Sequence, residues 1–187
     1  MKSILHYRTF FRSFSTLSIG GALMMILHTQ CTSTTPPRPS PLRSDSAQVH
    51  GLDAYIEFSS PGVKSREIFG AGEEFLVPFG KMWRTGANDA TFLSFNGDVL
   101  INTMELDSGT YSLFTIPNQN EWMIVFNHEW KQWGSYDYKD SLDVFRIKVS
   151  PRYVDQSQER MLFYFADDSL KFRWDNVRWA LPINPRP

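Results

Sequence analysis

From about Val49 onward, apolar side chains recur at every second position in short runs, and turn residues interrupt each run. Such alternation sends successive side chains to opposite faces of an extended chain, so it restricts the fold to half-buried β-strands. No run has the three-to-four spacing of an amphipathic helix. Asp53–Ser59 places Ala54, Ile56 and Phe58 against Asp53, Tyr55 and Glu57, and Asp143–Val149 alternates in the same way. Glu121–Asn127 is continuously apolar, as expected of a central strand covered on both faces. Roughly nine or ten short strands at regular spacing predict an all-β domain, either an antiparallel β-sandwich or a barrel-like sandwich.

Turn chemistry predicts the connections. Asn96-Gly97 is a strong hairpin signal, because both residues tolerate the positive φ of a type I′ turn. That turn would pair Phe95 with Asp98 and Leu93 with Leu100, with Phe92 opposing Ile101 on the other face. Asp167-Asp168 is expected to turn the chain after the apolar run Arg160–Ala166. A further two-residue turn at Asp175-Asn176 would pair Trp174 with Val177, Phe172 with Trp179 and Leu170 with Leu181. It would also set Arg173 opposite Arg178, which is unfavourable for like charges.

The chain of 187 residues carries 19 basic and 20 acidic side chains, unevenly placed. Residues 1–31 hold Lys2, Arg8 and Arg12 and no acid, which leaves 16 basic against 20 acidic residues in the remainder. That remainder has no basic stripe, so nucleic acid is not an expected partner. The apolar run Leu17–Leu27 has the length of a signal-peptide core and is too short to span a bilayer as a helix. Cys31, the one cysteine, follows it, and residues 32–48 read as a disordered tether rich in Pro, Ser and Thr. Basic start, apolar core, cysteine and tether resemble a bacterial lipoprotein signal. Lipidation at Cys31 would place the protein in the cell envelope, with the membrane engaged only through that lipid. Gln30 and His28 depart from the usual small and aliphatic residues of such signals, and an ordinary secretory signal yielding a soluble periplasmic or secreted protein is the alternative. Residues 49–187 are expected to form a single domain.

Two stretches hold residues suited to a site. In Trp83-Arg-Thr-Gly-Ala-Asn-Asp89, the Arg84 guanidinium suits a carboxylate or phosphate, Asn88 and Asp89 offer donors and acceptors, and Trp83 offers a stacking face. The structural alternative pairs Arg84 with Asp89 internally and lets Asn88 close a turn. Gln132-Trp-Gly-Ser-Tyr-Asp-Tyr138, preceded by His128 and Trp130, suits a carbohydrate site through Trp133 and Tyr136, or else plugs the end of the fold. Catalytic residues are not evident. His50 and His128 have no partner at ligand spacing, no phosphate-binding glycine loop or nucleophile elbow is present, and neither a metal nor another cofactor is expected. A carbohydrate hydrolase would need paired carboxylates, such as Glu73, Glu74 or Asp89 with Asp137 or Asp140.

Phe69-Gly70, Leu76–Thr91, Gly109–Pro117 and Gln132–Tyr136 together resemble the DUF2911 family, found mainly in exported proteins of Bacteroidetes-type bacteria. The resemblance covers about residues 49–183. It implies an exported domain and brings no established activity. Departures fall at turns: a long link at Gly70–Phe75, Asn102-Thr103 where Asn-Gly is common, and Asp107-Ser108 where Pro-Ala is. The combined expectation is a β domain that binds a small polar or glycan-like ligand through Trp83, Arg84, Asn88, Asp89, Trp133 and Tyr136. A carboxylate-dependent hydrolase and a structural or interaction module of the envelope are the alternatives, and protein partners are not indicated.

Overall fold

The computed structural model describes residues 38–186; the signal segment, Cys31 and the first part of the tether lie outside the described residues. The described chain forms twelve strands, β1 (Leu42–Val49), β2 (Leu52–Ser59), β3 (Phe69–Gly70), β4 (Val77–Pro78), β5 (Phe92–Phe95), β6 (Val99–Ile101), β7 (Met104–Leu106), β8 (Gly109–Ile116), β9 (Trp122–Asn127), β10 (Asp143–Val149), β11 (Arg152–Ala166) and β12 (Ser169–Pro185). One 3-10 turn, Asp140–Leu142, precedes β10. Six strands form an antiparallel sheet in the order β1-β2-β5-β8-β9-β10, and four form a second in the order β11-β12-β6-β7. The β3–β4 pair is a two-residue parallel contact. The architecture is a sandwich, not a closed barrel.

Alternation explains how the sheets meet. Ala54, Ile56 and Phe58 of β2 and Trp122, Ile124 and Phe126 of β9 are buried together with Leu170, Phe172, Trp174, Val177, Trp179, Leu181 and Ile183 of β12. Edge-on and tilted rings tie the layers, Phe58 to Phe163 at 5.3 Å and Trp122 to Phe172 at 5.6 Å, while Phe172 stacks on Trp179 within β12 at 4.9 Å. Each such pair adds about 1 kcal/mol beyond the area it buries. β9 is covered on both faces, since Val125 packs on the far side with Phe114 and Ala90.

The Asn96-Gly97 hairpin does not form. β5 pairs with β2 and β8 in the first sheet, whereas β6 pairs with β12 and β7 in the second, so Asn96-Gly97 is a crossing between layers. Neither residue adopts the positive φ that a type I′ turn requires. Asn96 is instead clipped to Asp53, whose backbone N–H donates to Asn96 Oδ1 at 2.8 Å while Asn96 Nδ2 donates to the Asp53 carboxylate at 2.7 Å. Gly97 lies close under Leu52, so a Cβ there, 2.7 Å from Leu52 Cδ2, would require that side chain to shift. Tight turns with two positive-φ residues fall at His50-Gly51, at Lys64-Ser65 and at the expected Asp167-Asp168, of which the first and last join paired strands.

The turn at Asp175-Asn176 is also absent. β12 runs straight through it, and Asp175, at φ 46°, lies between the two register shifts of the β11–β12 pairing. Burial falls on even residues through Trp174 and on odd residues from Val177, and an irregular stretch of the β11–β12 ladder, where the register shifts on both sides of Asp175, accommodates the phase change that a turn was expected to explain. The pairs Trp174–Val177, Phe172–Trp179 and Leu170–Leu181 are thus not made across a hairpin; Phe172 pairs with Phe163 and Leu170 with Phe165.

β1 corrects the start of the domain. It occupies residues otherwise assigned to the tether and pairs with β2 in unbroken register from Leu42↔Ser59 to Val49↔Leu52. Its polar composition resembles linker because most of its residues face solvent.

Candidate functional site

The segment between β4 and β5 runs beside β8 where β5 has not yet begun. Gly80 N–H donates to Pro117 O at 2.8 Å, and Trp83 and Thr115 exchange backbone hydrogen bonds at 2.8 and 2.9 Å. Residues 84–90 then leave the ladder as a loop before Leu113 N–H meets Thr91 O at 2.8 Å. The loop is tied at each step. Trp83 Nε1 donates to Gly86 O at 3.0 Å, Thr91 Oγ1 to Thr85 O at 2.8 Å, and Asn88 Nδ2 to Ser59 Oγ at 3.3 Å. Thr85 is fully buried at φ 53°. A β-branched residue there carries strain of order 1–3 kcal/mol, held by the surrounding bonds. Gly86 lets the loop approach β2, because a Cβ would meet Ser59 O and Thr91 Oγ1 at 3.1 Å each.

The aromatic loop after β9 is fastened by a buried amide. Asn127 Nδ2 donates to Lys139 O at 2.9 Å and to Asp143 Oδ1 at 2.8 Å, and its Oδ1 accepts Glu129 N–H at 2.9 Å. Tyr138 packs its ring on Phe114 at 5.0 Å, and its hydroxyl donates to Asp143. Burial and that carboxylate push the Tyr138 phenol up to about 12. The base of the loop therefore plugs the outer face of the six-stranded sheet. Its tip does not: Trp133 is 60% exposed and Tyr136 78% exposed, with rings stacked 5.6 Å apart.

These two loops are joined. Ala90 N–H donates to Gln132 O at 3.0 Å, and Gly134 N–H donates to Asn88 O at 2.9 Å. Beside the junction lies an open hollow of about 330 Å³, bordered by Glu57, Asp89, Phe92, Trp130, Gln132 and Trp133, among others. Trp130 leans on Phe92 at 5.1 Å and carries Lys131 Nζ 4.7 Å above its ring. Gln132 is buried, and its Oε1 has no hydrogen-bond partner among the described residues.

The six expected site residues divide. Asp89 and Trp133 line the hollow, Asn88 does not line it but bonds Ser59, which does, and Tyr136 stacks on Trp133. Trp83 belongs to the core, packed on Phe69 and stacked on Trp174, so its ring is not a free stacking face. Arg84 opens instead on a separate cavity of about 210 Å³ beside Trp174, Arg66 and Leu76. It forms no ion pair with Asp89 or any other described acid, and its Nε is buried without an acceptor. Burial lowers its pKa, partly offset by the Tyr136 phenol nearby. Asn88 sits at φ 57° and bonds Ser59 rather than closing its own turn.

Glu57 and Leu42 were not among the expected site residues. Glu57 reads as the solvent face of a strand and Leu42 as tether; only the alternation of β2, which sends Glu57 outward, hints at its position. The carboxylates Glu73, Glu74, Asp137 and Asp140 are exposed and do not border the hollow. Among the described residues, no three His, Cys, Asp or Glu side chains gather as a metal site.

A family model described as "Protein of unknown function (DUF2911)" matches residues 40–183. Neither the curated proteins nor the solved structures gave a match.

Proposed function

The chain belongs to the DUF2911 family, and from its own site we propose that it binds a small, polar, glycan-like ligand in the hollow between its two paired loops. The observation that carries this reading is the pairing itself, which sets exposed Trp133 beside a concavity bordered by Trp130, Phe92, Asp89, Glu57 and Gln132. Apolar walls with a few fixed polar groups suit a ligand that offers both ring faces and hydroxyls. The unpaired Gln132 Oε1 supplies an acceptor for a hydroxyl.

The test is titration with neutral oligosaccharides, followed by tryptophan fluorescence. Saturable change in the parent chain, weakened at least about tenfold in a folded Trp133→Ala variant, is the expected result. A flat response to every sugar, or equal affinity in the variant, overturns the reading.

A second reading draws on Glu57 and Asp89, two carboxylates bordering one hollow, as a glycoside hydrolase requires. It predicts release of reducing sugar that Glu57→Gln and Asp89→Asn each abolish; binding without turnover rules it out. Export and anchoring through lipidated Cys31 complete the proposal, placing the domain in the cell envelope. Cys31→Ala should then move the protein from the membrane to the soluble fraction, and unchanged partition would refute the anchor.

A further inference from the structure

The face of the four-stranded sheet turned away from the core carries cations that the loop site does not use. β12 sends Lys171, Arg173 and Arg178 outward because Phe172, Trp174 and Val177 beside them are buried. β11 sets Arg152 opposite Arg178 and Tyr164 opposite Lys171. Between those two rungs the register shifts twice, and β11 carries more residues than β12. The rungs border a hollow of about 510 Å³ lined by Arg152, Tyr164, Lys171, Arg173 and Arg178.

Among the described residues, no acid lines this hollow. Asp167 pairs with Lys171 from an exposed position, and the Asp175 carboxylate accepts Ser157 Oγ at 2.8 Å. Arg178 is fixed, its guanidinium donating to the carbonyls of Asp175, Val177 and Gln156 at 2.8 Å each. Arg173 lies over the Tyr164 ring at 5.1 Å, and its Nε is buried with no acceptor among the described residues. Burial, then the neighbouring Arg173 and Arg152 charges, lower the Arg178 pKa. Cations held this close repel one another, and an anion among them removes that repulsion.

We propose that this hollow is an oxyanion site for a phosphate-bearing ligand, with Arg152 and Arg173 as its charge contacts and Arg178 as its fixed wall. Guanidinium groups present paired N–H donors that match phosphate oxygens, and the unpaired Arg173 Nε gains its missing acceptor there. The site is independent of the loop hollow and shares no lining residue with it.

Calorimetric titration of the full chain with inorganic pyrophosphate, at fixed ionic strength, tests it. One saturable site is expected, weakened at least about tenfold in Arg152→Ala/Arg173→Ala, with Arg173→Lys weakened less. Circular dichroism verifies the fold; should the double variant fail to fold, Arg152→Ala alone, at an exposed position, takes its place. No saturable heat, or equal affinity in the folded variant, overturns the proposal. Cosedimentation of the Cys31→Ala chain with phosphatidylglycerol vesicles, reversed by pyrophosphate, assigns the phosphate to a lipid headgroup. Pyrophosphate binding without cosedimentation assigns it to a soluble ester.

Discussion

The backbone N–H of Ala90 donates to the carbonyl of Gln132 at 3.0 Å, so the loop before β5 and the loop after β9 are one unit. A change in either loop is therefore felt by the other. The aromatic tip at Trp133 is positioned by a loop whose own conformation is fixed by Ser59, Thr91 and Thr115.

Gly86→Ala should strain that unit. The new Cβ would sit 3.1 Å from Ser59 O, a backbone atom that cannot turn aside. The expected cost is about 1–3 kcal/mol in urea denaturation. A variant as stable as the parent would mean that the loop shifts freely.

The two tryptophans of the candidate site should separate in stability. Trp83→Ala empties a core position packed by Phe69, Phe172 and Trp174 and should cost about 3–5 kcal/mol. Trp133→Ala removes an exposed ring and should stay within about 0.5 kcal/mol of the parent. Similar losses in the two variants would contradict these placements.

Arg84→Ala should fold. With no ion pair to any described acid and an unbonded Nε, Arg84 does little to hold the loop, and a change below about 1 kcal/mol is expected in thermal melting. Outright loss of folding would restore the arginine as an internal clip.

Tyr138 predicts an alkaline transition. Its phenol shifts from an ordinary value of 10.0 to about 12 in the fold, so the folded chain holds this proton more tightly than the unfolded one. That contribution is complete below the unfolded value and is lost as pH rises from 10.0 to about 12. Tyr138→Phe should therefore lose stability less steeply than the parent over that interval, as followed by denaturant midpoints. Parallel pH profiles would show that the phenol is not linked to folding.

Strands with a buried and a wet face were legible, since period two is a local property; β2, β8, β9 and β10 lie where alternation or a continuous apolar run puts them. Sheet membership was not. Asn96-Gly97 carries the local chemistry of a hairpin, yet Phe95 and Val99 are each buried in strands of different layers, and that long-range burial decides the path. Trp174 to Val177 shows the same limit, because a phase change in apolar residues fits a turn or a bulge equally well. The two loops of the candidate site stand out in the sequence by their unusual residues, but which side of the first loop Arg84 faces does not. The cationic hollow was hidden because Arg152 is distant in sequence from Lys171, Arg173 and Arg178, and only the β11–β12 pairing gathers them.

β1 begins at Leu42, which also borders the loop hollow, and Pro41 O accepts Ser60 N–H at 2.8 Å. The polypeptide thus enters the domain at the rim of its own candidate binding site. The opposite terminus is held elsewhere, where Arg186 bonds Asp98, Glu105 and Asp107, none of them at that rim. A purification tag or immobilisation handle fused close upstream of β1 would crowd ligand access, whereas one fused after Arg186 would leave it open.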